Sequence, residues 1–282
     1  MNIEGVMNYT GSKFKLLDQI LPFFDYSKSN FIDLFVGGGS VFINVLEKYD
    51  NIYINDIISD IVDIYHQLSI NDDIINKTKI MCLTLKDSQI DYLNIRDDYN
   101  KNKSSDKLWS LILSCNSNLI RFNKKGKFNQ TWGKRSWNSN TDKKVNLFKD
   151  RLRNHKDKIV FNSMNFNLFP LIKNSFYYLD PPYAYTKDSK GNMSNEQISE
   201  AGYNSFYYKD DDLNLYKYCH KINEIGSTFM ISGVLHHGDK TSWILDKLKC
   251  DGFKCIELNY NYDKINKSGL NKKTTEVIIM NY

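Results

Sequence analysis

The chain has 282 residues and a mass of 33.1 kDa, enough to bury a substantial core in one large domain or two modest ones. Its net charge of +5 and pI near 8.7 permit a polyanionic partner without demanding one. Five scattered cysteines with no Cys-x-x-Cys pair argue against structural zinc and against a disulfide framework. No apolar stretch approaches a membrane span and the N-terminus lacks a signal-peptide pattern, so a cytoplasmic protein with no membrane partner is expected.

The first informative segment is residues 31–36, a short apolar run rich in strand formers, broken by Gly37, Gly38 and Gly39. Residues 40–46 then read as an amphipathic helix with Ser40 at its N-cap. Strand, glycine turn and helix open a nucleotide-binding βαβ unit, where missing side chains let a ligand approach the backbone. Residues 52–54 read as the next strand, ended by Asn55 and Asp56. An acid there suits ribose hydroxyls, and Asp56 also serves as an N-cap candidate for a helix over 57–68. The G-x-G-x-x-G phosphate spacing is absent, and Asp33 would repel a pyrophosphate. Together they favour a cationic or zwitterionic ligand such as S-adenosylmethionine, with a dinucleotide oxidoreductase as the minority reading.

Residues 57–156 read mostly helical. Within them 119–137 alternates cations with aromatics around Gly126, as a projecting hairpin would. Such a hairpin can engage phosphates and enter a groove, although Lys-Lys-Gly-Lys is also a common solvated turn. Strands are expected at 159–162, 176–179 and 228–232, with a helix near 211–224. Residues 188–208 read as a mobile loop, His236-His237 as a polar turn rather than a metal site, and 267–275 as a basic polar loop.

The tetrapeptide Asp180-Pro181-Pro182-Tyr183 follows the apolar run Phe176-Tyr177-Tyr178-Leu179 and holds two of the four prolines in the chain. A Pro-Pro pair stiffens the turn and leaves carbonyls free to accept hydrogen bonds. An acid before it and an aromatic after it set two acceptors beside a stacking face, which suits a planar heterocycle with an exocyclic amino group.

With these segments in place the chain resembles the Dam-type DNA adenine methyltransferases over nearly its full length. Asn8-Tyr9-Thr10-Gly11-Ser12-Lys13 is similar to that family's N-terminal cofactor segment. Asp33-Leu34-Phe35-Val36-Gly37-Gly38-Gly39 is similar to its cofactor loop, and Asn55-Asp56 to its ribose-binding acid. Residues 121–129 resemble its Arg-aromatic-Asn…Gly-x-Phe-Asn signature, Asp180-Pro181-Pro182-Tyr183 its catalytic motif, and Thr275-Glu276-Val277-Ile278-Ile279 its closing strand.

The resemblance implies an α/β Rossmann-like methyltransferase sheet with an inserted, mainly helical DNA-recognition domain carrying a β-hairpin. Catalytic parts would span 1–56 and 157–282, around a recognition part at 57–156. It implies S-adenosylmethionine as cofactor, held by Tyr9, Lys13, Asp33, Phe35, Gly37, Gly38, Gly39, Asp56 and Asp180. Where the family often has an acid for the adenine amino group, this chain offers Asn165. Catalysis falls to Asp180, Pro181, Pro182 and Tyr183. Duplex DNA would be read by Arg121, Asn123, Lys124, Lys125, Lys127, Asn129, Gln130, Lys134 and Arg135. No metal is implied, and the source is expected to be a bacterium or phage, with a cognate restriction endonuclease as a candidate partner.

The chemistry implied is direct methyl transfer to the amino group of an extruded adenine, since no Pro-Cys nucleophile is present. Two alternatives stay open: the same motif acting on RNA bases or protein amides, and a non-catalytic DNA-binding relative.

Overall fold

Residues rich in β-branched and aromatic side chains, buried on both sides, form the central strands. A computed structural model of the chain describes residues 2–9, 11–123, 125–182, 184–198, 206–259 and 273–282. A helical turn α1 (Leu17–Ile20) precedes β1 (Asn30–Asp33) and β2 (Asn51–Asn55). Four helices follow: α2 (Ser59–Ile70), α3 (Asp73–Lys86), α4 (Gln89–Lys101) and α5 (Ser105–Ser114). After α6 (Ser139–Arg153) come β3 (Ile159–Asn162), β4 (Ser175–Leu179), β5 (Tyr185–Lys187) and β6 (Met193–Gln197). The chain then runs through α7 (Lys209–Glu224), β7 (Thr228–His237), β8 (Lys240–Thr241), α8 (Trp243–Cys250), β9 (Lys254–Leu258) and β10 (Thr274–Met280).

The main sheet has the order β3-β2-β1-β4-β7-β10-β9, with β8 paired to β7. The pairs from β3 to β7 are parallel, whereas β10 runs antiparallel to both neighbours. This is the Rossmann-like methyltransferase architecture. Strand alternation splits the core in two. Phe31, Phe176, Tyr178 and Ile278 face one cluster, which continues into α2, α5 and α6 through Tyr65, Trp109 and Phe148. Ile32, Tyr177, Leu179 and Ile279 face the other, packed on α7 and α8 through Leu215, Ile222 and Leu248. Helix α2 shows why it docks: Ile61, Ile64, Tyr65 and Leu68 are buried at helical spacing.

Three expectations are corrected. Residues 40–46 do not form an amphipathic helix; the regular part is a single 3-10 turn, Phe42–Asn44. The N-terminal segment occupies the space instead. Asn44 accepts from the Ile3 amide at 2.7 Å and donates to the Ile3 carbonyl at 2.7 Å. Ser40 Oγ accepts from the Gly5 amide at 3.2 Å and caps no helix. Second, residues 188–208 do not read as one loop: β5 and β6 pair antiparallel, and Asp188 Oδ1 closes the turn by accepting from Lys190 and Asn192. Residues 199–205 lie outside the described residues. Third, His236 and His237 lie within β7, paired with β10, and their Nδ1 atoms meet Thr241 and Thr274 hydroxyls at 3.0 and 2.8 Å. The loop expected at 267–275 is outside the description as far as residue 272, and Thr274 already belongs to β10.

The docking of the N-terminal segment is tight. A Cβ on Gly5 would stand 1.8 Å from the Gly38 carbonyl oxygen, a backbone atom that cannot swing aside. Gly5→Ala is therefore expected to cost about 1–3 kcal/mol of stability, as overpacking does. A thermal melt checks this, and an unchanged or raised melting temperature contradicts the packing described.

Candidate active site

The sheet changes direction of growth between β1 and β4, and the crevice outside their C-terminal ends is where open α/β sheets bind ligands. A cavity of about 540 Å³ lies there, within the usual size range of small-molecule sites. Asp33 ends β1, Asp56 follows β2, Asp180 follows β4, and Ser232 and Glu276 reach it from β7 and β10.

The glycine turn forms the cavity's backbone wall. Gly37 and Gly39 adopt φ of +45° and +79°, a region costly for side-chain-bearing residues. The Tyr9 ring covers Gly37, 3.3 Å from where a Cβ would sit. The Tyr65 hydroxyl donates to the Gly37 carbonyl at 2.6 Å. Asp56 braces the same turn: Oδ2 accepts from the Gly37 amide and Oδ1 from the Ile58 amide, both at 3.0 Å. The buried Asn55 amide ties the strand ends together, donating to the Leu34 and Met164 carbonyls and accepting from the Met164 amide.

Carboxyl groups dominate the electrostatics. Asp33, Asp56 and Glu276 are buried, and the one buried cation among the described lining residues is Lys13. Asp33 Oδ1 makes no hydrogen bond among the described residues. Burial above all, then the neighbouring Asp180 and Asp56, push the Asp33 carboxyl well above the ordinary carboxylate range. Burial pushes Asp56 up to about 6, against hydrogen bonds from backbone amides. Asp180 is raised by burial and by Glu276, and held down by Lys13. Lys13 Nζ lies 2.7 Å from Asp180 Oδ1 and also donates to the Gly11 carbonyl at 3.1 Å. The Ser232 hydroxyl donates to the same Asp180 Oδ1 at 3.2 Å and meets the Tyr178 hydroxyl at 2.8 Å.

The cavity therefore gathers Tyr9, Lys13, Asp33, Phe35, Gly37, Gly38, Gly39, Asp56, Asn165, Asp180, Pro181 and Pro182, all singled out from sequence. Tyr183 lies outside the described residues. Asn165 Oδ1 accepts from the Asn167 amide at 2.9 Å, capping a helical turn, so only a second lone pair remains for a ligand. Sequence reasoning missed Ser232, Tyr178, Glu276 and Asn55. Two of them carried a signal: Asn55 beside Asp56 at the end of its strand, and Glu276 as an acid inside the apolar run of the last strand.

The residues expected to read DNA lie apart from this cavity, on a hairpin between α5 and α6. Phe122 and Phe128 face each other across it, and Gly126 takes φ of +67° at the tip. Arg121, Asn123 and Asn129 are occupied in building it. Arg121 donates to the Asn129 side chain at 2.9 Å and to its carbonyl at 3.1 Å. Asn123 Oδ1 accepts from the Lys125 and Lys127 amides. Helix α4 holds the hairpin base: Tyr92 and Arg96 donate to the Gln130 carbonyl, and Asn100 pairs with both backbone groups of Phe128. Gln130 is buried, whereas Lys125, Lys127, Lys134 and Arg135 are exposed. Lys124 lies outside the described residues.

Comparison with known proteins gives the family. Modification methylase StsI of Streptococcus sanguinis is 29% identical over 99% of this chain and 43% of its own length. Type II methyltransferase M.FokI of Planomicrobium okeanokoites is 28% identical, again over 99% of this chain and 43% of its own length. The chain thus spans less than half of these two relatives. Type II methyltransferase M.MjaIII of Methanocaldococcus jannaschii is 26% identical and matched over the whole of both chains. Residues 9–263, which include the glycine turn, the hairpin and the Asp180 motif, match a single family description. The chain belongs to the D12 class N6 adenine-specific DNA methyltransferase family.

Proposed function

We propose that this protein transfers a methyl group from S-adenosylmethionine to the exocyclic amino group of adenine in duplex DNA. The observation that carries the reading is that Asp180-Pro181-Pro182 opens into the same cavity as the glycine turn and the buried acids Asp33 and Asp56. That donor set fits the cofactor. An acid-rich wall with an unpartnered Asp33 oxygen accepts an ammonium or sulfonium, and would repel a dinucleotide's phosphates. The cofactor supplies a methyl group on a positively charged sulfur.

The chain's own residues do the rest. Asp56 takes ribose hydroxyls with the lone pairs left by its two amide bonds, and Asn165 takes the adenine amino group of the cofactor. An adenine leaves the DNA stack, at a cost of a few kcal/mol, to enter the open side of the cavity. Tyr183 stacks on it, recovering roughly 1–3 kcal/mol. The Asp180 carboxylate and the Pro181 carbonyl accept the two amino hydrogens, so the nitrogen lone pair turns out of the ring toward the methyl group. As the nitrogen–carbon bond forms the sulfur–carbon bond breaks, positive charge passes to nitrogen, and a proton leaves it. Asp180 is placed to take that proton, with Lys13 and Ser232 fixing its orientation. Lys125, Lys127, Lys134 and Arg135 contact phosphates or base edges from the hairpin, while Arg121, Asn123 and Asn129 hold its shape. The names of the relatives as modification methylases support a restriction endonuclease with the same target.

The test is incubation with methyl-labelled S-adenosylmethionine and unmethylated genomic DNA, followed by mapping of modified adenines. Label at adenine within one short motif is expected. Asp180→Ala is expected to lower the rate at saturating cofactor at least about 10²–10³-fold. Label on RNA or protein instead, or full activity of Asp180→Ala, contradicts the proposal.

The Asp33 assignment predicts opposite effects on stability and binding. Its carboxyl is raised in the folded state, so the native protein holds a proton that the unfolded chain releases. Its ionised form therefore costs stability as pH rises above the ordinary range near about 4. Asp33→Asn is expected to raise the melting temperature of the ligand-free protein at pH 8, with the gain vanishing near pH 4, and to weaken S-adenosylmethionine binding about tenfold or more. Melting curves across pH and a binding titration check it. An unchanged affinity contradicts the assignment.

A further inference from the structure

Behind the catalytic tetrapeptide a single buried carboxyl holds both ends of the segment that follows it. Asp212, in the first turns of α7, is fully buried. Its Oδ2 accepts from the Tyr185 amide at 2.6 Å, and its Oδ1 accepts from the Tyr207 hydroxyl at 2.7 Å. Tyr185 opens β5 and Tyr207 lies just before α7, so one side chain joins the start of the β5–β6 hairpin to the start of the helix. Ala184, Ile198, Phe206 and Tyr207 line the cavity on the side of Pro181 and Pro182. A bond from the Ile198 amide to the Ala184 carbonyl at 2.9 Å adds a third tie across the neck. Phe206 then leans on the hairpin, with its ring centroid 5.6 Å from that of Phe122 and its edge beside Gly126.

We propose that Asp212 is a positioning residue: it clamps Tyr185 at the start of β5 to Tyr207 ahead of α7, so that the cavity wall of Ala184, Ile198, Phe206 and Tyr207, and the contact of Phe206 with the DNA-facing hairpin, are formed before the base arrives. The proposal rests on the methyltransferase reading above. Asp212 lines no part of the cavity itself and acts through Tyr185 and Tyr207. Burial pushes its carboxyl up to about 7, while the bonds from Tyr207 and Tyr185 favour the charged form. An amide can reproduce both bonds, accepting from the Tyr185 amide and donating to the Tyr207 oxygen. An alanine reproduces neither. Misplacing a catalytic wall by an ångström can cost about 10²-fold in rate, which sets the scale of the effect.

The experiment uses the full chain and three variants, Asp212→Ala, Asp212→Asn and Tyr207→Phe, each measured three ways. These are cofactor affinity, kcat and KM for DNA methylation, and hydrogen exchange at the Tyr185 amide and along β5 and β6. For Asp212→Ala we expect kcat to fall about 10–100-fold, cofactor affinity to stay within about threefold, and exchange to accelerate. Asp212→Asn should return kcat to within about threefold of the parent, and Tyr207→Phe should fall between the two. If Asp212→Ala does not fold, the Asn and Phe variants decide the matter by the same readouts. Parent-like kcat and exchange in Tyr207→Phe would overturn the clamp, as would an Asp212→Asn variant no better than Asp212→Ala. Loss of cofactor affinity in step with kcat would reduce Asp212 to a general structural role and overturn it too. A parent protein that methylates no DNA would count against the reaction proposed above, and the exchange data would still decide the clamp.

Discussion

The structure depends on holding a surplus of buried carboxyl groups around one cavity. Asp33, Asp56 and Glu276 are buried there with Asp180 beside them, against the buried ammonium of Lys13, the one buried cation among the described lining residues. Ionised groups buried without partners are costly, and a protein can lower that cost by binding protons or by binding a cation. Burial raises the carboxyls of Asp33 and Asp56, the direction the first route requires. A ligand carrying an ammonium and a sulfonium supplies the second. The site thus stores an electrostatic debt that a cofactor of the right charge relieves.

The architecture around the cavity places these groups without relying on loops alone. Asp33 is fixed by strand register, paired with Ile54 on one side and Tyr178 on the other. Asp180 stands two residues beyond Tyr178, and Lys13 and Ser232 both donate to its Oδ1. The N-terminal segment closes the back of the glycine turn through Gly5, Tyr9 and the Ser40 and Asn44 contacts. The hairpin is built on α4 and reaches the cavity through Phe206. The glycine turn, the Asp180 wall of the cavity and the hairpin are therefore physically connected.

Much of this was legible in the sequence, for identifiable reasons. The strands at β1, β2 and β4 announce themselves because buried parallel strands are short apolar runs, and the glycine turn and paired prolines have few other uses. Residues 40–46 misled because their apolar spacing mimics a helix, while the deciding contacts come from Ile3 and Gly5, some forty residues away in sequence. Residues 188–197 read as loop because the hairpin is polar and lies over α8 rather than in the core. Ser232 and Tyr178 gave no signal, since a hydroxyl in a strand is unremarkable until folding sets it beside Asp180. Arg121 and Asn129 carry a signature whose observed work is to shape the hairpin, a distinction residue type alone does not make.

The measurement that tests the electrostatic account most directly is calorimetric titration of S-adenosylmethionine at pH 6 in buffers of different ionisation enthalpy. If buried carboxyls hold protons that the cofactor's positive charge displaces, the observed heat varies with the buffer, and its slope reports net proton release. The account predicts such release, with tighter binding as pH rises from 5 toward 8. Binding with no proton release and the same affinity across that range would contradict it.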